Sequence, residues 1–219
     1  IVDPGPNDVG HLDALAAVGD VELILITHRH HDHTEGAPAL AAATGATVRA
    51  ADPDFCIGAE PLRDGDTVAA AGLEIGVLAT PGHTADSVCF LLPSDSPDRR
   101  HGSVLTGDTI LGRGTTVIAP PDGSLGDYLG SLRVLAALGH ASVLPAHGPQ
   151  LPDLEAVAAE YLAHREQRLD QIRAALVRLG PDATVAAVTD FVYHDVDVSV
   201  RRAAEHSVAA QLQYLRGVR

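Results

Sequence analysis

Six consecutive residues, His28-Arg29-His30-His31-Asp32-His33, place four imidazoles and a carboxylate in one short stretch. Further along come Pro81-Gly82-His83-Thr84, Thr106-Gly107-Asp108-Thr109 and Ala146-His147-Gly148, with the turn-like Asp3-Pro4-Gly5 ahead of them all. Neutral imidazole nitrogen binds zinc at about 2.0–2.1 Å, and a carboxylate can complete or bridge such a site. A solvated His-rich loop is the competing reading of the cluster by itself. Capping or surface roles compete for His83, Asp108 and His147 taken singly. Taken as a set, these residues favour a metal centre.

The elements around them support the set. Val21 to Thr27 is a nearly continuous apolar run, the pattern of a buried strand, so the cluster sits at a strand's C-terminal end. His83 follows a strand over 73–79, Asp108 one over 103–106 and His147 one over 142–144, each through a small-residue turn. Loops of this kind converge on one edge of a sandwich. A hairpin turns at Ala71-Gly72 between strands 67–70 and 73–79, and Ser87 to Leu92 reads as another strand. Thr34 to Thr44 reads as a helix ended by Gly45, and Gly126 to Leu138 as an amphipathic helix. Ser94 to Gly102 reads as a surface loop.

Beyond Pro149 the pattern becomes helical. Helices are expected over Asp153–Leu179, Thr184–Tyr193 and Val198–Leu215, the first with Leu154, Val157, Tyr161, Leu162, Leu169, Ile172 and Leu176 largely on one face. This divides the chain into a catalytic region, 1–150, and a small helical region, 151–219. The opening Ile1-Val2 reads as a strand already under way, which leads us to expect further strands upstream.

The chain is 46% hydrophobic, enough for a substantial core, and carries a formal net charge of −14. An acidic body disfavours nonspecific nucleic-acid binding. No apolar run reaches the roughly 20 residues of a membrane span, so no membrane partner is expected. Two cysteines, Cys56 and Cys89, form no disulfide framework and fit a reducing, cytoplasmic setting. Cys89 lies in an apolar run and reads as a small buried residue.

The order His-x-His-x-Asp-His, then His, Asp and His resembles the metallo-β-lactamase fold superfamily. The resemblance runs from Asp3 to about Gly148 and implies an α/β (α+β) fold, an αββα sandwich with metals at one edge. It implies that His28, His30 and His83 hold one zinc, that Asp32, His33 and His147 hold a second, and that Asp108 bridges them; iron or manganese is an alternative to zinc. Asp3 is implied to support ligands rather than be one, and His31 to be a non-ligand. Two such cations share a water and bring its pKa to about 7, with Asp32 suited to orient it. Thr84 and Ser87 are candidate partners for the imidazoles. Aspartate at position 108, where true β-lactamases have cysteine, resembles the hydrolase and nuclease branches.

The segments Glu160–Arg168 and Ala203–Leu215, with Leu111-Gly112-Arg113-Gly114-Thr115-Thr116, resemble the β-lactamase-like-protein-2 group and its C-terminal winged-helix-like domain. This second resemblance implies single-stranded RNA as a partner for some members. The expected activity is hydrolysis of a small ester, thioester or lactone, with single-strand RNA cleavage as the alternative and a metal-dependent binding protein as a third. Arg113 could hold an anionic group or be a plain loop arginine, and His164 is a second candidate for substrate contact. His11, His101, His140, His194 and His206 read as surface or helix-face residues. The Tyr161/Leu162 stripe reads as core, and Arg165, Arg168, Arg201 and Arg202 as a solvated face that could instead meet nucleic acid.

Overall fold

The computed structural model describes residues 1–93, 95, 102–195 and 197–217. Apart from Asp95 and Gly102, the loop expected over 94–102, with His101, lies outside the described residues.

Strand β1 (Leu23–Leu25) pairs in parallel with β2 (Thr47–Arg49), and Val2 adds a parallel bridge to Leu25. The second sheet contains β3 (Thr67–Ala70), β4 (Leu73–Ala79), β5 (Val88–Leu92), β6 (Ser103–Gly107) and β7 (Ser142–Pro145), in that order. Its first three pairings are antiparallel and the last is parallel. Hence β4, β6 and β7 run the same way, and their C-terminal ends meet at one edge.

Alternation along the strands divides the core into layers. Val88 and Phe90 of β5 face the space between the sheets with Leu25, Leu62, Val68, Ile75 and Val77. Cys89, between them, faces the other way with Val104 and Val143, against helix α4 (Leu125–Ala137) and helix α5 (Leu154–Leu179). Burial pushes the Cys89 thiol up to about 11. On the opposite flank, helices α1 (Val9–Ala16) and α3 (Ala37–Thr44) cover Ile24, Ile26 and Val48. Helices, sheet, sheet and helices give the four-layer αββα sandwich.

The helix expected over 34–44 is two helices. A single turn, α2 (His31–Thr34), carries the end of the His cluster, and α3 begins only at Ala37. The break falls where Gly36 N–H bonds to Gly5 O at 2.8 Å and where Pro38 suits a helix's first turn. The strand expected over 21–27 is ordered as a ladder only from Leu23 to Leu25, because Thr27 O turns to accept from Val88 N–H of the other sheet.

Asp153 caps α5 by accepting from Ala156 N–H. The core continues across residue 150: Leu154, Ala158, Tyr161 and Leu169 share one cluster with Tyr128 and Leu132. Beyond it, α5 packs with α6 (Val185–Val192) and α7 (Arg201–Leu215) around Ile172, Val188, Val208 and Leu212. Among the described residues after Leu151 no strand occurs, so this region is helical and shows no wing there. Among them, too, no helix is long and apolar enough to cross a membrane.

Candidate metal centre

The candidate ligands are carried by separate loops at the common sheet edge. His28 follows β1, His83 follows β4 through Pro81-Gly82, Asp108 follows β6 and His147 follows β7. Helix α4 fixes the Pro81-Gly82 turn: Ser131 Oγ donates to Pro81 O at 2.7 Å, and Ser124 N–H to Gly82 O at 2.9 Å. Gly82 has φ +138°, and a Cβ there would stand 2.3 Å from Tyr128 Cα, so the close approach of turn to helix admits only glycine.

Two sets of donors converge. In the first, His30 Nδ1 lies 3.0 Å from His28 Nε2 and 3.0 Å from His83 Nε2. Three imidazole nitrogens at about 2.0–2.1 Å from one tetrahedral ion would be roughly 3.3 Å apart, so the spacing fits a cation. In the second, Asp32 Oδ2 is 3.6 Å from His33 Nε2 and 3.3 Å from His147 Nε2. Asp108 stands between the sets. Its Oδ1 is 3.6 Å from His33 Nε2 and 3.5 Å from His147 Nε2, while its Oδ2 is 3.7 Å from His83 Nε2.

The backbone and side chains behind the rings dictate which nitrogen faces the centre. Asp3 Oδ1 accepts from Thr27 N–H and its Oδ2 from Thr27 Oγ1, both at 2.7 Å. With the Thr27 proton given to Asp3, His28 Nδ1 must donate to Thr27 Oγ1, 3.0 Å away, leaving Nε2 bare. His33 Nδ1 donates to Asp3 Oδ2 at 2.9 Å, again leaving Nε2 bare. His83 Nδ1 donates to Val117 O at 2.9 Å with the same result. One carboxylate, Asp3, therefore sets two imidazoles, the arrangement that ligand histidines need.

At His28 the electrostatics agree. Burial, then the neighbouring His33, His83, His30 and His147, push the His28 pKa far below the histidine range, so the ring is neutral and able to ligate. Burial also lowers the His33 pKa, but Asp3, Asp108 and Asp32 outweigh it and the net shift is upward. His33 Nε2 and Asp108 Oδ1 are buried with no hydrogen-bond partner. A buried polar atom without a partner is costly, and a cation shared by these atoms removes the cost. The donor set fits two divalent metals: His28, His30 and His83 for one, Asp32, His33 and His147 for the other, with Asp108 facing both.

His31 is exposed on α2 and joins none of these groups. Arg113 is exposed, with no hydrogen bond or ion pair to the centre among the described residues. His164 meets Arg168, whose Nε lies 3.4 Å from its Nε2, rather than the centre. Thr84 and Ser87, the candidate partners for the imidazoles, bond each other, Oγ1 to Oγ at 2.7 Å, and the nearby His83 uses Val117 O. Arg165 is no solvated residue: it is 6% exposed and donates to Thr116 O. Thr27, Arg29 and Tyr161 were not foreseen as participants. Arg29 pairs with Asp122 and lies 3.9 Å from Asp86 and 4.0 Å from Asp52. The place of Arg165 and Tyr161 one turn apart within the apolar stripe of α5 was the signal available for both.

Residues 1–147 match the family model of the metallo-beta-lactamase superfamily, and the chain belongs to that superfamily, whose members are generally metal-dependent hydrolases. It is 35% identical over 186 residues to the lactamase-like protein adaB of Aspergillus niger, covering 81% of this chain and 55% of that one. It is 39% identical over 158 residues to the lactamase-like protein nscB of Neosartorya fischeri, covering 71% and 44% respectively. The chain thus spans about half the length of these relatives. Among solved structures, a metallo-beta-lactamase family protein of Thermus thermophilus shares the fold with a TM-score of 0.79 at 24% identity, over 99% of this chain and 84% of that one. The protein TTHA1623, solved in a di-iron-bound form, matches with a TM-score of 0.59 at 25% identity, over 73% and 86%.

Proposed function

We propose that the chain is a dinuclear zinc hydrolase acting on a small ester, thioester or lactone. The observation that carries this reading is the Asp108 carboxylate, whose two oxygens are divided between two separate sets of histidine nitrogens. When bound, two zinc ions would supply Lewis acidity and a water acidic enough to ionise near neutral pH. The iron in TTHA1623 makes iron the alternative occupant.

The chain's own residues divide the remaining work. His28, His30 and His83 converge their ring nitrogens on one point, His28 from the buried side. Asp32 and His147 form the exposed side, through which substrate would enter. Burial raises the Asp32 pKa, but His33, its own N–H and His147 outweigh this and hold it below the usual carboxylate range, so it stays ionised and is suited to bind a cation and orient a water.

Two features favour a small uncharged acyl group over RNA. The chain's net charge is −14, and Arg29, within the His cluster, and Arg165, behind Thr116, are engaged by carboxylates and a carbonyl. Turnover of ester, thioester and lactone panels should be compared with cleavage of short single-stranded RNA, using zinc-loaded protein and a His83→Ala control. Acyl turnover lost in the control supports the proposal. RNA cleavage lost in the control, with no acyl turnover, overturns it in favour of a nuclease.

A further inference from the structure

The segment 111–117 touches both halves of the centre through its backbone. Gly112 N–H donates to His147 O at 2.8 Å, and Val117 O accepts the His83 Nδ1 proton at 2.9 Å. Thr116 Oγ1 lies 3.3 Å from the same His83 nitrogen. The contact at Gly112 is tight: a Cβ there would stand 2.2 Å from Pro149 O and 2.7 Å from Gly148 C. Asp108, which faces both sets of ligands, lies only three residues before the segment. Its placement therefore bears on three of the candidate ligands at once.

What holds the segment is helix α5. The Tyr161 hydroxyl accepts from Leu111 N–H at 3.0 Å and lies 3.0 Å from Leu111 O and 2.8 Å from Gly114 O, so its one proton serves a carbonyl of the same turn. One helical turn later, Arg165 donates to Thr116 O at 2.6 Å. The Arg165 guanidinium is buried, with its carbon 5.1 Å from the centre of the Tyr128 ring. A buried cation on an otherwise apolar helix face costs free energy, and the carbonyl it bonds belongs to the residue beside Val117. Residues four apart on a helix share a face. Here the shared face grips both ends of the segment.

We infer that Tyr161 and Arg165 are positioning residues for the metal centre, acting through the backbone of 111–117 on His147 and His83. Tyr161 fixes the end that meets His147, and Arg165 fixes the end that orients His83. The C-terminal helical region is on this account part of the metal-binding apparatus and not an appendage to it. The inference rests on the metal-binding reading of the site.

The test is the affinity for zinc alone, measured by chelator competition, and the visible spectrum of the cobalt-loaded protein. Both are compared among wild type, Tyr161→Phe, Arg165→Met, Arg165→Lys and, as an exposed control on α5, Arg173→Gln. Removing groups that orient metal ligands costs about 10–100-fold in affinity; acting one contact further out, Tyr161→Phe and Arg165→Met should cost roughly 3–30-fold. Their cobalt spectra should shift, Arg165→Lys should recover part of the loss, and Arg173→Gln should match wild type. Melting of the metal-free proteins separates this from general unfolding, and Tyr161→Phe, which removes one oxygen, keeps the test open if Arg165→Met folds poorly. Wild-type zinc affinity and cobalt spectra in both Tyr161→Phe and Arg165→Met would overturn the inference while leaving the metal centre standing. A wild-type chain that binds no zinc would overturn the metal reading itself, and the inference with it.

Discussion

His33 Nδ1 donates to Asp3 Oδ2 at 2.9 Å, and this contact turns His33 Nε2 toward Asp32 and Asp108. The same oxygen takes the Thr27 hydroxyl proton, and so governs His28 as well. Asp3 has φ +47°, a region that asparagine tolerates. Asp3→Asn should therefore keep the backbone but offer an amide in place of one charged oxygen. Metal affinity should fall about 10–100-fold, measured by chelator competition. Unchanged affinity would mean that the two imidazoles are oriented by something else.

Gly82→Ala tests the seating of His83. The added Cβ would meet Tyr128 Cα, Cβ and N at 2.3–2.4 Å, and neither helix backbone nor left-handed turn can yield cheaply. Overpacking costs about 1–3 kcal/mol, and the upper end is expected, lowering Tm by roughly 6–12 °C. A melting curve within 2 °C or so of wild type would show that the turn can move away from α4.

Tyr128→Phe tests the support behind Asp108. The fully buried Tyr128 hydroxyl donates to Thr109 O at 2.7 Å. Its removal leaves a buried carbonyl unpaired and should cost about 1–3 kcal/mol, read from urea unfolding of the metal-free protein.

Asp153 provides a pH test away from the centre. The Ala156 N–H that it caps and the His140 side chain hold its carboxyl below the usual range. A carboxyl depressed by folding adds stability that is complete above its unfolded pKa and is lost as pH falls through the lower, folded value. Asp153→Asn should thus lower Tm at pH 6 to 7, and the difference from wild type should shrink below about pH 4. A difference independent of pH would assign the effect to the cap's shape and not to its charge.

Much of this centre is legible in the chain because side-chain type carries the signal. His28, His30, Asp32, His33, His83, Asp108 and His147 stand out by identity and by their place after apolar strands. Helix α1 does not, since only Leu12 along it is buried, and β2 is three residues long, too short for a period to show. The split between α2 and α3 depends on Gly36 bonding to Gly5, a contact across 31 positions that no local pattern contains. The Val117 carbonyl is invisible for a different reason: every residue has one. Arg165 was misread because a charged residue on a helix is usually solvated, although its place in the stripe of Tyr161, Leu169 and Ile172 marks the buried side.

On the dinuclear reading, Asp108 joins two metal positions in one chain. Elemental analysis of zinc-saturated, desalted wild type and Asp108→Ala measures it directly. About two zinc ions per wild-type chain are expected, falling to one or fewer in the variant. Two ions per chain in both proteins, or none in the wild type, would contradict it.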